Sequence, residues 1–281
     1  MVCQSPGGDG KQVWQVEITH LFNTNRMKAR IIAVGNHKGG VGKSSTVANL
    51  GGILARRGYK VLLVDLDAQA NLTTSLTEPT DGATIYEAMT GKVSKLPVVV
   101  VTGNLHLVPS SLTLAMVDVE LSTAIAREHI LSECLVNAEI SNQYDFILLD
   151  CPPSLGLMTL NAFTVATDII IPMVSEVLPF KGLTMIKDFI AMVQHRLNPS
   201  VRIMGILITR WEASKLSRGI ETNLRHALGD MVFRTKIRKN VRLAEAPLEK
   251  TDIVGYDPRS NGAIDYQAFV DEFLERIQST Q

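Results

Sequence analysis

Six short apolar runs punctuate the chain: Ile31 to Val34, Val61 to Val64, Leu105 to Val108, Phe146 to Leu149, Ile169 to Ile171 and Ile203 to Ile208. Each is continuous rather than alternating, the pattern of strands buried on both faces in a parallel sheet covered by helices. Between the first two runs, Ser44 to Arg57 carries Val47, Leu50, Ile53 and Leu54 at helical spacing, with Gly58 placed as the stop. Strand, helix and strand make a βαβ unit, and its recurrence predicts an α/β fold on a mostly parallel twisted sheet flanked by helices. After residue 30 there is no long Ser/Gly/Pro linker, internal repeat or low-complexity tract, so 30–281 reads as one domain. Residues 1–29 read as an N-terminal extension. Residues 1 to 26 show no helical or strand period, and Met27 lies four residues ahead of the first strong strand, which predicts either a disordered extension or a start placed too far upstream.

Composition narrows the class. The chain has 281 residues and is 46% apolar, enough for a sizeable core and too apolar for disorder to be the main theme. No apolar run approaches the roughly 18 to 20 residues of a membrane span. The longest candidates, Asp168 to Val174 and Leu96 to Val101, are strand-sized, and no span is expected. Three cysteines, Cys3, Cys134 and Cys151, form no CxxC pair and leave one over in any disulfide scheme. With no cationic start and apolar stretch of a secretory signal, the expected compartment is the reducing cytoplasm. The balance of 28 basic against 28 acidic residues argues, at first sight, against a nucleic-acid partner.

The most informative stretch joins the first strand to the first helix: Gly35-Asn36-His37-Lys38-Gly39-Gly40-Val41-Gly42-Lys43-Ser44-Ser45. Glycines let successive N–H groups turn inward, and a helix N-terminus adds positive potential, so the segment can cradle phosphate oxygens. Lys43 can reach the β and γ phosphates of a nucleotide, and the Ser44 hydroxyl can bind Mg²⁺. The ordinary pattern asks for a glycine five residues before Gly42, where His37 stands; a second lysine, Lys38, lies inside the loop. Two acids two residues apart, Asp65 and Asp67, end the second apolar run, and Asp150 ends the fourth. Open α/β sheets place their ligands at such strand ends.

Lys-Gly-Gly-Val-Gly-Lys-Ser resembles the deviant Walker A loop of the ParA/MinD superfamily of P-loop ATPases. Ala68-Gln69-Ala70-Asn71-Leu72-Thr73, Cys151-Pro152-Pro153-Ser154-Leu155-Gly156, Asn240-Val241-Arg242-Leu243-Ala244-Glu245-Ala246-Pro247 and Tyr256-Asp257-Pro258 narrow the resemblance to ParA/Soj chromosome- and plasmid-partitioning ATPases, over about residues 30 to 275. The resemblance implies a P-loop sheet of about seven to eight strands, with ATP and Mg²⁺ as cofactors. It implies nucleotide contacts from Lys38, Gly39, Gly40, Val41, Gly42, Lys43, Ser44 and Ser45. Catalytic roles fall to Lys38, reaching across an ATP-sandwiched homodimer, to Lys43, and to Asp67, orienting the attacking water. Ser44, Asp65 and Asp150 are expected around the metal. The implied partners are non-specific DNA and a ParB-like centromere-binding protein that stimulates slow hydrolysis, with a nucleoid-associated location. Three departures stand out: His37 in place of the usual Gln, Pro179-Phe180-Lys181-Gly182-Leu183 in place of an Ala-Leu-Glu-Gly-Leu type segment, and Arg238 in place of Pro near the expected adenine pocket.

Neutrality hides a segregation of charge. Arg202 to Arg242 holds ten basic residues against three acidic ones, a net +7 that leaves −7 for the rest. On a helix starting near Ser214, Lys215, Arg218 and Arg225 share a face. Phosphate backbones bind such surfaces without reading sequence, and the resemblance places DNA contacts here, at Lys215, Arg218, Arg225, Lys239 and Arg242. The picture is of DNA meeting one face of a dimer and being repelled by much of the rest.

Other readings make different demands. A MinD-type protein docks to membrane through a C-terminal amphipathic helix; here Ile264 to Ile277 has an apolar stripe of Ala268, Phe269, Phe273 and Ile277, but a polar face of Asp265, Asp271, Glu272, Glu275 and Arg276 that anionic lipid would repel. The stripe is expected on the core. A relative of the nitrogenase iron protein needs two cysteines to bridge a cluster, and Cys134 falls in an expected helix, Ala126 to Ala138. The six histidines show no zinc spacing, and no GxSxG elbow occurs. A ParA-like positioner of a protein cluster, or a regulator using ATP only as a switch, would share the same loop.

Overall fold

In the computed structural model, residues 29–78, 81–137, 140–175 and 179–279 are described; the N-terminal extension up to residue 28 lies outside them, and so does the expectation about it. Eight strands form one sheet: β1 (Arg30–Val34), β2 (Val61–Asp65), β3 (Val99–Thr102), β4 (Leu105–Val108), β5 (Phe146–Asp150), β6 (Asp168–Val174), β7 (Arg202–Trp211) and β8 (Val232–Arg238). Their order is β3-β4-β2-β5-β1-β6-β7-β8. Every pairing is parallel except β3 with β4. The helices that matter below are α1 (Lys43–Arg56), α2 (Asn71–Leu76), α3 (Leu157–Val165), α4 (Pro179–Arg196), α5 (Lys215–Leu228) and α6 (Asn261–Gln278).

Two apolar layers sandwich the sheet, as continuous strand apolarity requires. On one side Ile31, Leu62, Ile147 and Ile169 pack with Phe163 of α3 and Ile186, Ile190 and Val193 of α4. On the other, Ile32, Leu63, Leu148 and Ile170 pack with Val47, Leu50, Ile53 and Leu54 of α1 and with Phe269 and Phe273 of α6. Successive strand residues feed opposite layers, the alternation a pleated backbone imposes. The six expected strands and α1 are found, and α1 ends at Arg56 with Gly58 just beyond.

Two strands were not anticipated as members of the sheet. β3 lies in the strand-sized valine run, and β8 in the basic segment; both are edges. The stripe on α6 is corrected: Phe269, Phe273 and Ile277 are buried as expected, joined by Tyr266 and Val270, while Ala268 is exposed. Its polar face is corrected too. Asp265 and Glu272 are buried against β8, where Glu272 accepts the Arg234 and Thr235 amides at 2.8 Å each, and the Arg276 guanidinium lies 4.0 Å over the Phe233 ring. The apolar stripe of the helix is therefore committed to the sheet, and among the described residues no helix is long and apolar enough to cross a membrane. The expected helix over 126–138 is a 3₁₀ turn, Arg127–His129, followed by Ile130–Asn137.

Candidate nucleotide site

Parallel strands bring all their C-terminal ends to one edge, and the strand register decides which residues meet there. Asp150 pairs with Val34 on one side and Asp65 on the other, so β1, β2 and β5 deliver the glycine-rich loop and two acids to one point. The loop leaves β1 pinned to its neighbours. Gly35 N–H donates to Ile170 O at 3.1 Å, Asn36 Nδ2 to Pro172 O at 2.7 Å, and Asn36 Oδ1 accepts the Lys38 amide at 3.1 Å. From the far side Thr209 Oγ1 donates to Val41 O at 2.8 Å and the Arg210 guanidinium to Gly40 O at 3.3 Å. Gly40 and Gly42 sit at φ +70° and +84°, a left-handed backbone that side-chain-bearing residues adopt at a cost. Gly42 then caps α1 without any side-chain acceptor, and the first turn holds no acid. The donors of that turn are left for an anion, the arrangement of a helix N-terminus that binds phosphate.

Lys43 is buried at the first position of α1, and its Nζ donates to Lys38 O at 3.0 Å. Burial lowers its pKa, opposed chiefly by the Asp150 carboxylate. Asp150 has no exposed surface, and neither Oδ has a hydrogen-bond partner of normal geometry. Burial drives its pKa well up, the nearby Asp65 adds to this, and the Ser44 hydroxyl and Lys43 oppose it. A buried carboxylate with two unused oxygens is costly on its own. Such a group is chemically suited to hold a cation. Ser44, half-buried beside it, supplies a hydroxyl. Mg²⁺ is usually held by one or two protein groups together with phosphates and water, and a hydroxyl beside a carboxylate is such a donor set; among the described residues no three His, Cys, Asp or Glu side chains form a metal cage by themselves.

Asp65 is equally buried but differently partnered. Its Oδ1 accepts the Asp67 amide at 3.1 Å, and its Oδ2 accepts the Thr73 amide at 2.9 Å and the Thr73 hydroxyl at 2.7 Å. Burial raises its pKa to about 6, against the pull of those bonds. The carboxylate expected in the metal shell is thus turned toward α2. Asp67 has 9% of its surface exposed, and its Oδ1 accepts the Gln69 amide at 3.0 Å. Lys38, Gly39, Gly40 and Ser45 are exposed on the loop's outer surface, while Val41 is buried beneath it.

The rival sites do not assemble. Cys151 has no exposed surface, and burial beside Asp150 pushes its thiol up; the Cys134 thiol, half-buried, is pushed up to about 11 by the same cause. Neither is a surface thiolate that a cluster could bridge. A separate cavity of about 430 Å³, lined by Met89, Val93, Leu96, Ile130 and Cys134 among others, contains none of the loop's groups.

Sequence reading missed Asn36, Thr73, Ser110 and Thr209. Each is a short polar residue at or just beyond the C-terminal end of a strand or in the first turns that follow; that position is the available signal, but their partners lie up to 168 residues away.

The basic segment needs the larger correction. Seven of its ten basic residues meet acids: Arg202 with Asp168, Arg225 and Lys236 with Glu221, Arg234 with Glu272 and Glu275, Arg238 with Asp265, Lys239 with Glu212, and Arg242 with Glu245 and Asp257. The −7 remainder does not face away from the +7 segment; part of it is folded onto it. Arg210, Lys215 and Arg218 make no ion pair with a described residue, and Lys215 and Arg218 project from the outer face of α5. The helix expected to start near Ser214 begins at Lys215, with Ser214 as its cap accepting the Ser217 amide.

A phosphate cradle on a helix N-terminus, a lysine inside it and an orphaned acid on the adjoining strand define a P-loop nucleotide-binding protein. Comparison with known proteins agrees. The family model described as "AAA domain" matches residues 29–203. The sporulation initiation inhibitor protein Soj of Bacillus subtilis is 39% identical over 240 residues, covering 83% of this chain and 94% of that protein. A cobyrinic acid a,c-diamide synthase from Mycobacterium smegmatis, solved with an ATP analogue and magnesium, superposes with a TM-score of 0.78 at 32% identity, over 90% of this chain and 97% of its own. A plasmid partition protein of Borrelia burgdorferi bound to AMPPNP gives 0.75 at 26% identity, over 89% and 100%. The chain belongs to the Soj/ParA family of chromosome-partitioning ATPases.

Proposed function

We propose that this chain is a Mg²⁺-dependent ATPase whose ATP-bridged homodimer holds DNA without reading sequence and lets go on hydrolysis, when a ParB-like partner stimulates an otherwise slow turnover. The observation that carries the reading is Asp150: a fully buried carboxylate, unpartnered, facing Lys43 and Ser44. Nucleotide and magnesium in solved relatives, and the Soj and ParA names of the curated ones, support it.

The loop's inward N–H groups receive the phosphates, and Lys43, now held by the Lys38 carbonyl, transfers its donor to them. Ser44 and Asp150 would hold Mg²⁺, which would supply charge neutralisation at the β and γ phosphates. Asp67 orients the attacking water, and Lys38, exposed on the loop, reaches the phosphates held by the second copy, supplying charge in trans. Pairing two copies doubles the cations offered to DNA, and avidity makes the step from weak to firm binding steep. Lys215 and Arg218 lead that contact. Lys239, Arg242 and Arg225 join only where phosphate competes with Glu212, Glu245, Asp257 and Glu221. The cargo is a chromosome, plasmid or mobile element.

The test is DNA retention by the purified chain with ATP and Mg²⁺, with ADP, and with neither. Retention confined to the first condition, with a steep salt dependence, is expected. Retention indifferent to nucleotide overturns the switch, and absence of Mg²⁺-dependent hydrolysis overturns the ATPase.

A further inference from the structure

Asp67 is held by a closed ring of hydrogen bonds. Its own amide donates to Asp65 Oδ1 at 3.1 Å; Asp65 Oδ2 accepts the Thr73 hydroxyl at 2.7 Å; Thr73 Oγ1 accepts the Ser110 amide at 2.9 Å; and Ser110 Oγ donates to the carbonyl of Asp67 at 2.8 Å. The ring begins and ends on the backbone of one residue, fixing both the N–H and the C=O of Asp67. All four members are buried, at 0%, 6%, 5% and 9% exposure for Asp65, Thr73, Ser110 and Asp67. They come from three places: the end of β2, the first turn of α2, and the segment that follows β4. The Asp67 side chain is only half engaged, with Oδ1 on the Gln69 amide and Oδ2 without a partner among the described residues.

We infer that Thr73 and Ser110 are positioning residues for hydrolysis, and that Asp65 acts through them rather than as a metal ligand. A buried polar ring is a poor way to gain stability, since apolar side chains of similar size would serve as well without the desolvation cost. What a ring of this connectivity provides is a fixed backbone under one carboxylate, and misplacing a reacting group by about 1 Å costs on the order of a hundredfold in rate. Thr73 is suited to the task because one hydroxyl donates to Asp65 while accepting from Ser110, and its amide adds a second bond to the same carboxylate oxygen. Valine would keep the shape and remove both hydroxyl bonds.

The inference rests on Asp67 as the group that orients water. The experiment measures kcat for ATP hydrolysis and mant-ATP affinity in Thr73→Val, Thr73→Ser, Ser110→Ala and Asp67→Ala. Thr73→Val and Ser110→Ala are expected to lower kcat roughly tenfold or more while affinity stays within about threefold, and Thr73→Ser is expected to recover most of the rate. Unchanged kcat in both hydroxyl-deleted variants overturns the ring's role. So does a Thr73→Ser rate as low as that of Thr73→Val, which would make the methyl group and its packing the cause, or an equal fall in kcat and affinity. Full turnover in Asp67→Ala overturns the underlying role of Asp67 instead, a separate result from failure of the ring.

Discussion

The strand-end site and the basic flank both gather charge, and they treat it in opposite ways. At the strand ends Asp150, Asp65 and Lys43 are removed from water, and one of them, Asp150, is left without a partner. On the flank most cations are solvated and still meet acids, as with Arg234 on Glu275 and Lys239 on Glu212. Exposed pairs contribute little, because water already screens them. A buried carboxylate without a well-formed hydrogen bond is expensive, and such perturbed groups cluster at functional sites. The orphaned acid therefore says more about function than the ten bases do.

The comparison can be broken most sharply at Asp150. Asp150→Ala should lower Mg²⁺-dependent hydrolysis by about a hundredfold or more, read as phosphate release against Mg²⁺ concentration; near-normal turnover would remove the metal from that carboxylate. Next comes the free part of the flank. Arg218→Glu should weaken ATP-dependent DNA retention by about tenfold and reduce the salt slope, with mant-ATP binding kept. The paired part should give less: Arg242→Ala, whose guanidinium is shared between Glu245 and Asp257, should change retention by no more than about threefold, and a loss equal to that of Arg218→Glu would show that the pairs open on DNA. The smallest effect is on stability. Asp65 has a folded pKa of about 6 against a reference of 3.8, so between those values the folded state holds its proton more tightly than the unfolded chain. Stability of the Mg²⁺-free protein should therefore fall as pH rises from about 4 through about 6, and denaturant melts across that window read the slope. Asp150 acts in the same direction, so Asp150→Asn should flatten the fall.

How much of this was legible in the sequence follows from which contacts are local. β1, β2, β4, β5, β6 and β7 announced themselves because both faces are buried and their apolar runs are unbroken. β8 did not, because Val232-Phe233-Arg234-Thr235-Lys236-Ile237-Arg238 is an edge strand whose solvent-side positions are charged. Its arginines and lysine read as a basic surface. That they meet Glu272, Asp265 and Glu221 depends on α5 and α6 packing beside them, 15 to 38 residues away in the chain. The loop residues were readable because phosphate binding needs a contiguous backbone. The ring under Asp67 was not, because Ser110 and Thr73 are unremarkable until β4 is laid beside β2.

The helix that carries Lys43 is held along its flank by the chain's last third: Asn49 accepts the Ile253 amide at 2.7 Å, Arg56 reaches Asp252 at 2.9 Å, and the Thr46 hydroxyl lies 3.4 Å from that of Tyr266. Thr46 and Tyr266 are 220 residues apart. During synthesis at about 5 to 20 residues per second, the finished loop waits roughly 10 to 40 s for the segment that seats its helix. Nascent chains stalled before Tyr266 should fail to retain mant-ATP, while those released beyond α6 should bind it. A half-made copy would then be unable to join an ATP-bridged pair, and assembly would be restricted to finished molecules by the order in which the chain emerges.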